Sequence, residues 1–168
     1  RIRSTTNQMI NNMQGDIKTQ TAKSGDWKLI QKLNNQVFLN DEANDDDLDM
    51  GWSFSKKGIA YYKKLTSGKY GKCFIAYLGK IPVGYVALAV KDFGYRKSKY
   101  IEIENIGVDP EYRSQGIGKQ LLGATTNWAK EQMATKLFVS AYWKNKRAIN
   151  FYKKNGFYES GLELDKKI

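Results

Sequence analysis

"VDPEYRSQGIGKQLL" occupies residues 108–122 and joins a stretch patterned as a strand to one patterned as a helix. Upstream, "YIEIENIGV" (100–108) alternates, with Ile101 and Ile103 on one side and Glu102 and Glu104 on the other. Downstream, Ile117, Leu121, Thr125 and Trp128 recur at helical spacing and predict a helix over 116–133. An ordinary strand-to-helix junction needs one turn residue and one cap. This one also carries a proline, an arginine and two glycines. Pro110 stops the strand from continuing through a ladder position. Gly116 and Gly118 let the backbone approach a ligand with no Cβ in the way. The first-turn N–H groups of the following helix have no intrahelical acceptors and sit at the positive end of its dipole. With Arg113 and Lys119 beside them, they have the make-up of a diphosphate site. The dinucleotide fingerprint would need glycine where Leu121 stands. A nucleotide P-loop would need glycine at Arg113 and Ser or Thr at Gln120. Both are excluded.

The rest of the chain bounds the chemistry. Its 168 residues suffice for one domain with a real core, and 41% hydrophobic with 27% charged residues is an ordinary globular balance. No run approaches the roughly 18 apolar residues of a membrane span, so no membrane partner is expected. There is no charged-then-apolar leader, and the single Cys73 forms no internal disulfide, so the expected compartment is cytoplasmic. Histidine is absent, which removes Ser-His-Asp and Cys-His nucleophiles and histidine-bearing zinc sites. Carboxylates, tyrosine, lysine, backbone groups or a bound cofactor must do the work. The net charge of +11 suits nucleic acid, a membrane surface or a small polyanion. It is unevenly spread, because Asp41, Glu42, Asp45, Asp46, Asp47 and Asp49 crowd six acids into nine residues. That loop is either simply solvated or a collector of cations.

Residues 1–15 show no periodicity and read as an N-terminal extension. "DIKTQTA" (16–22) alternates as a strand. Trp27, Ile30, Leu33 and Val37 mark a helix capped by Ser24 or Asp26, and 55–65 form a second helix weakened by Gly58. Residues 71–90 read as a hairpin turning at Gly79-Lys80. After the central strand and helix, a strand is expected over 136–142 and a helix over 145–154 ending at Asn155-Gly156. A last strand is expected over 157–164. The order β α α β β β α β α β describes an α+β domain over 16–168.

Arg113-x-x-Gly116-x-Gly118 resembles the acetyl-CoA signature of the GNAT (Gcn5-related N-acetyltransferase) superfamily. "NKRAINFYKKNGF" (145–157) resembles the same superfamily's Asn-x-x-Ala-x-x-Phe-Tyr-x-x-x-Gly-Phe segment, and "IGVDPEYR" its fourth-strand exit. The likeness is close over 100–158 and architectural over 16–95.

The resemblance implies a mixed, mostly antiparallel central sheet flanked by helices and splayed between strands 4 and 5. It implies acetyl-CoA as cosubstrate and no metal. The pyrophosphate would lie on the N–H groups of Ser114, Gln115, Gly116, Ile117 and Gly118, helped by Arg113 and Lys119. Pantetheine would run along Ile106, Gly107 and Val108. Asn145 either holds the pantetheine arm or caps the next helix. Tyr152 matches the tyrosine that protonates the leaving thiolate, a task open to a phenol protonated at neutral pH. Glu104, ahead of Glu102, is the expected base for the acceptor amine; the alternative is that both pair with surface lysines. The implied function is transfer of acetyl to a primary amine of a cationic acceptor such as a polyamine, an antibiotic or a peptide lysine. The alternative is a non-catalytic acyl-CoA-binding module. Nucleic acid is not the expected partner, and the chain is expected as monomer or homodimer.

Overall fold

The computed structural model describes residues 17–168, so the N-terminal extension read over 1–15 lies outside the described residues. Five strands form one sheet in the order β1-β2-β3-β4-β5. They are β1 (Ile17–Thr21), β2 (Gly71–Leu78), β3 (Ile81–Lys91), β4 (Tyr100–Val108) and β5 (Lys136–Phe138). The first four run antiparallel to their neighbours, and β5 lies parallel to β4. Four helices flank the sheet: α1 (Trp27–Asp41), α2 (Lys56–Thr66), α3 (Ile117–Glu131) and α4 (Lys146–Lys154).

Alternation along the strands builds two cores. On one face Val83, Val86, Leu88, Ile101 and Ile103 pack with Ile117, Leu121 and Leu122 of α3. On the other, Ile75, Tyr85 and Ala87 pack with Ile30 and Leu33 of α1 and Tyr62 of α2. The helix faces thus bury the apolar stripes that the sequence displayed. Ser55 caps α2 by accepting from the Gly58 N–H at 3.1 Å. Asp26 takes the N-cap position of α1 without a capping hydrogen bond: a 3-10 turn (Ser24–Asp26) precedes that helix, and the Asp26 carboxylate accepts from the Lys23 N–H instead. The Gly79-Lys80 turn and the Asn155-Gly156 helix end stand as expected, the latter with Gly156 at φ 88°.

Three expectations fail at the ends. β5 closes at Phe138, well short of 142, and residues 157–164 form no strand. Tyr158, Leu162 and Leu164 are exposed, so their alternation has no apolar surface to face. The helix before the acidic loop runs on through Val37 to Asp41, which makes Asp41 a helical residue.

The geometry of the β4–β5 pair positions the site. Pairing covers only Tyr100, Ile101 and Glu102 of β4. Residues 103–108 continue with no strand on that side among the described residues, so the sheet is open there. The backbone polar groups along an unpaired edge are available to a ligand.

Candidate active site

Beyond β4, a 3-10 turn (Pro110–Tyr112) starts with Pro110 and is capped by Asp109, whose carboxylate accepts from the Glu111 N–H at 3.0 Å. The chain then passes through left-handed backbone at Ser114 (φ 65°) and Gly116 (φ 82°) before entering α3. No side chain caps α3, so its first-turn N–H groups remain open to an anion. Ser114, Gly116 and Lys119 are exposed and Gln115 is half-buried, whereas the Ile117 side chain belongs to the core and leaves only its backbone for a ligand. These features fit a diphosphate.

Gly118 has a further reason to be glycine. A Cβ there would come within 3.0 Å of two carbons of the Phe151 ring. The residue that opens the backbone also lets α4 dock on the start of α3. That contact brings the neighbouring Tyr152 to this end of the sheet. Tyr152 is 8% exposed and packs between Phe151 and Phe157, at ring separations of 5.4 and 5.3 Å. Burial, and secondarily the Asp41 charge, push its phenol pKa upward and keep its proton on.

Arg113 is turned toward β4 and not toward α3. Its Nε donates to the Val108 carbonyl at 3.0 Å, and Nη1 donates to Asn40 Oδ1 at 3.2 Å. Asn145 performs the capping role, its Oδ1 accepting from the Ala148 N–H at 3.0 Å, and its Nδ2 also donates to Asp41 Oδ1 at 3.3 Å. Asn40 donates to the same Asp41 oxygen at 3.2 Å. The end of α1 is therefore clasped to both the β4 exit and the start of α4. Burial raises the Asp41 carboxyl above its ordinary value against the pull of Asn40, Asn145 and Asn44. The acidic loop hangs from this clasp, and partial desolvation, followed by the neighbouring Asp45 and Asp41 carboxylates, raises the Tyr142 phenol to about 12.

On the α1–α2 face, Lys64, Leu65, Tyr70, Leu88, Glu102 and Glu104 border a cavity of about 250 Å³. The two carboxylates differ there. Glu102 pairs with Lys91 at 3.1 Å, as the charge-pair alternative expects. Glu104 is exposed and makes no ion pair among the described residues; the desolvation it meets at the cavity rim, and then the Glu102 charge, raise its pKa against Lys64 and Lys91. A cleft of about 270 Å³ on the other side of the sheet, between Thr21, Phe74 and Trp128, shares none of these groups. Among the described residues no cluster of three or more His, Cys, Asp and Glu could hold a metal ion, and no helix is long and apolar enough to cross a membrane.

Two features escaped the sequence reading. One is the Asn40–Asp41 clasp, which no local pattern signals. The other is a buried polar chain through Ser53, Tyr62, Asn34 and Tyr85 to Asn105. A signal for the second was present, because Asn34 interrupts the buried stripe of α1 one turn after Ile30.

Comparison with known proteins agrees with this architecture. The family model described as "Acetyltransferase (GNAT) family" matches residues 37–157. An uncharacterised N-acetyltransferase of Methanocaldococcus jannaschii is 34% identical over 102 residues, 59% of this chain and 44% of that protein, so the match spans under half of the relative's length. Thialysine N-epsilon-acetyltransferase of Bos taurus is 28% identical over 126 residues, 75% of this chain and 69% of the bovine protein. An aminoglycoside N-acetyltransferase solved with CoA superposes with a TM-score of 0.71 at 17% identity, covering 90% of this chain and 94% of the other, a likeness of fold. With the family model matched across the open sheet edge, the α3 junction and α4, this chain belongs to the acetyltransferase (GNAT) family.

Proposed function

We propose that the chain transfers an acetyl group from acetyl-CoA to a primary amine of a cationic acceptor. The observation that carries this reading is one convergence. The uncapped start of α3, the unpaired edge of β4 and the buried Tyr152 meet at one end of the sheet, and Glu104 borders a cavity on the α1–α2 face of the same strand.

Acetyl-CoA supplies an activated acyl group on a thiol leaving group. The N–H groups of Ser114 to Gly118, with Lys119 beside them, bind its pyrophosphate, and Ile106, Gly107 and Val108 offer their backbone to the pantetheine arm. Arg113 supports this by fixing the β4 exit through the Val108 carbonyl. Asn145 keeps one amide proton beyond its bond to Asp41 for the arm. Glu104 takes the proton of the acceptor ammonium. Its raised pKa makes it a better base than an ordinary carboxylate. The freed amine nitrogen bonds the acetyl carbon as the C–S bond breaks, and the nitrogen sheds its surplus proton. Tyr152, protonated until then, gives its proton to the departing thiolate. Glu102, tied to Lys91, shapes the field at Glu104.

A cationic acceptor follows from the acidic loop beside the clasp. The carboxylates of Asp45, Asp46 and Asp47 raise the local concentration of a polycation. The amine-acetylating relatives, a thialysine enzyme and an aminoglycoside enzyme among them, support the class. The test is a thiol-release assay with acetyl-CoA and a panel of thialysine, spermidine and neamine. Turnover that falls at least about 100-fold in Tyr152→Phe with acetyl-CoA binding intact is the expected result. Neutralising Asp45, Asp46 and Asp47 together raises the acceptor KM alone. Absence of turnover with every amine would refute the proposal.

A further inference from the structure

We propose that Tyr85 is a positioning residue: by holding Asn105 it fixes the bulge of β4 that presents Glu104 to the acceptor. The inference rests on the reading of Glu104 as base.

The register between β3 and β4 slips at one point. Ala87 lies opposite Asn105 and Leu88 opposite Ile103, so Glu104 has no partner on β3. A bulged residue is released from the ladder, and its aim depends on what anchors its neighbours. Tyr85 supplies that anchor twice. Its hydroxyl donates to Asn105 Oδ1 at 2.7 Å, and its ring lies 3.0 Å from the position a Cβ on Gly107 would take.

Tyr85 is itself held from behind. Its oxygen accepts from Asn34 Nδ2 at 2.5 Å, Asn34 Oδ1 accepts from the Tyr62 hydroxyl at 2.5 Å, and Tyr62 and Ser53 lie at hydrogen-bond distance, 3.1 Å. Ser53, Asn34, Tyr62 and Tyr85 are each no more than 1% exposed. Tyr85 and Tyr62 stand within an apolar cluster where phenylalanine would pack without hydroxyls to satisfy. A continuous hydrogen-bonded chain in such a core rigidifies what it touches, and this one ends on a half-buried side chain beside Glu104. The amide nitrogen of Asn105 makes no hydrogen bond among the described residues, so Tyr85 is the polar contact that orients it. The far end, Ser53, lies just past the acidic loop and accepts from Gln31 of α1 through its carbonyl at 2.7 Å.

The test follows the Glu104 carboxyl by carbon NMR titration in the whole chain. The groups facing it are Glu102 on its own strand, Lys64 and Tyr61 of α2, and Lys91 of β3. In Tyr85→Phe and in Asn105→Ala the Glu104 midpoint moves toward the ordinary carboxylate value. In the same variants kcat with the accepted amine falls about 10- to 100-fold, the scale of a small misplacement of a catalytic group. Acetyl-CoA affinity, read by calorimetry, holds. Tyr62→Phe breaks the chain two bonds away and lowers the melting temperature as much as Tyr85→Phe, while the Glu104 midpoint stays. An unchanged midpoint in both Tyr85→Phe and Asn105→Ala overturns the inference. So does a kcat loss that tracks melting temperature across all three variants. If the parent acetylates no amine, the functional proposal fails, and the titration alone still decides the positioning role.

Discussion

Replacing Gly107 by alanine tests the packing that sets the β4 exit. A Cβ at this position would lie 2.6 Å from Val37 Cγ2 and 3.0 Å from Tyr85 Cε1. Neither neighbour yields easily. Valine in a helix keeps one strongly preferred χ1 rotamer, and the Tyr85 ring is pinned through its hydroxyl to Asn34 and Asn105. The strain therefore falls on the spacing between α1 and β4. Overpacking of this kind costs about 1–3 kcal/mol, and each kcal/mol lowers the melting temperature by about 2–4 °C in a chain of this size. The remedy is specific. Val37→Ala removes the offending carbon, costs about 1 kcal/mol alone as a half-buried truncation, and restores room for the alanine. Urea melts of both single variants and the double variant should give a favourable coupling of about 1–2 kcal/mol. Costs that simply add would refute the claim that Val37 makes residue 107 glycine. Gly107→Ala also weakens acetyl-CoA binding, because the displaced exit carries the Val108 carbonyl that Arg113 latches; the double variant regains it.

The raised carboxyl of Glu104 sets a pH dependence with a definite sign. kcat/KM falls as pH drops through a midpoint above the ordinary value of 4.5, and Glu104→Gln loses that limb together with most of the rate. In the same variant the melting temperature at neutral pH rises. The native state binds the Glu104 proton more tightly than the unfolded chain does, so stability declines as pH climbs from 4.5 through the folded midpoint. A flat kcat/KM profile in the parent would remove Glu104 as base. Burial pushes the Cys73 thiol up to about 12, so the folded protein should leave a disulfide reagent unreacted at pH 8, and denaturant should release one thiol equivalent. Prompt reaction without denaturant would contradict the burial of Cys73.

The path from strand to phosphate-binding turn to helix was legible because its signals are local. Alternation places Ile101 and Ile103 inward, Pro110 stops the strand, and Gly116 takes a left-handed φ at the entry to α3. Gly118 was legible as an opening but not as the seat of Phe151, a contact between residues far apart in the chain. Residues 157–164 carry strand-forming side chains such as Phe157 and Tyr158, yet these make a strand only where a partner edge and an apolar surface await them. Arg113 matches its motif, but its aim toward Val108 and Asn40 depends on where α1 ends. The two glutamates look alike in the sequence; Lys91, reached across β3, is what separates them.

The central claim is that the start of α3 and the edge of β4 together bind acetyl-CoA. Gly118→Trp blocks this less cleanly than the sequence suggests, because the same substitution displaces Phe151. The direct measurement is a titration of nitrogen-15-labelled protein with acetyl-CoA, followed at each backbone amide. The account predicts saturable shifts that are largest at Gln115 to Lys119 and at Ile106 to Val108, moving together with one dissociation constant. Absence of binding, or shifts confined to the opposite cleft at Thr21, Phe74 and Trp128, would contradict it.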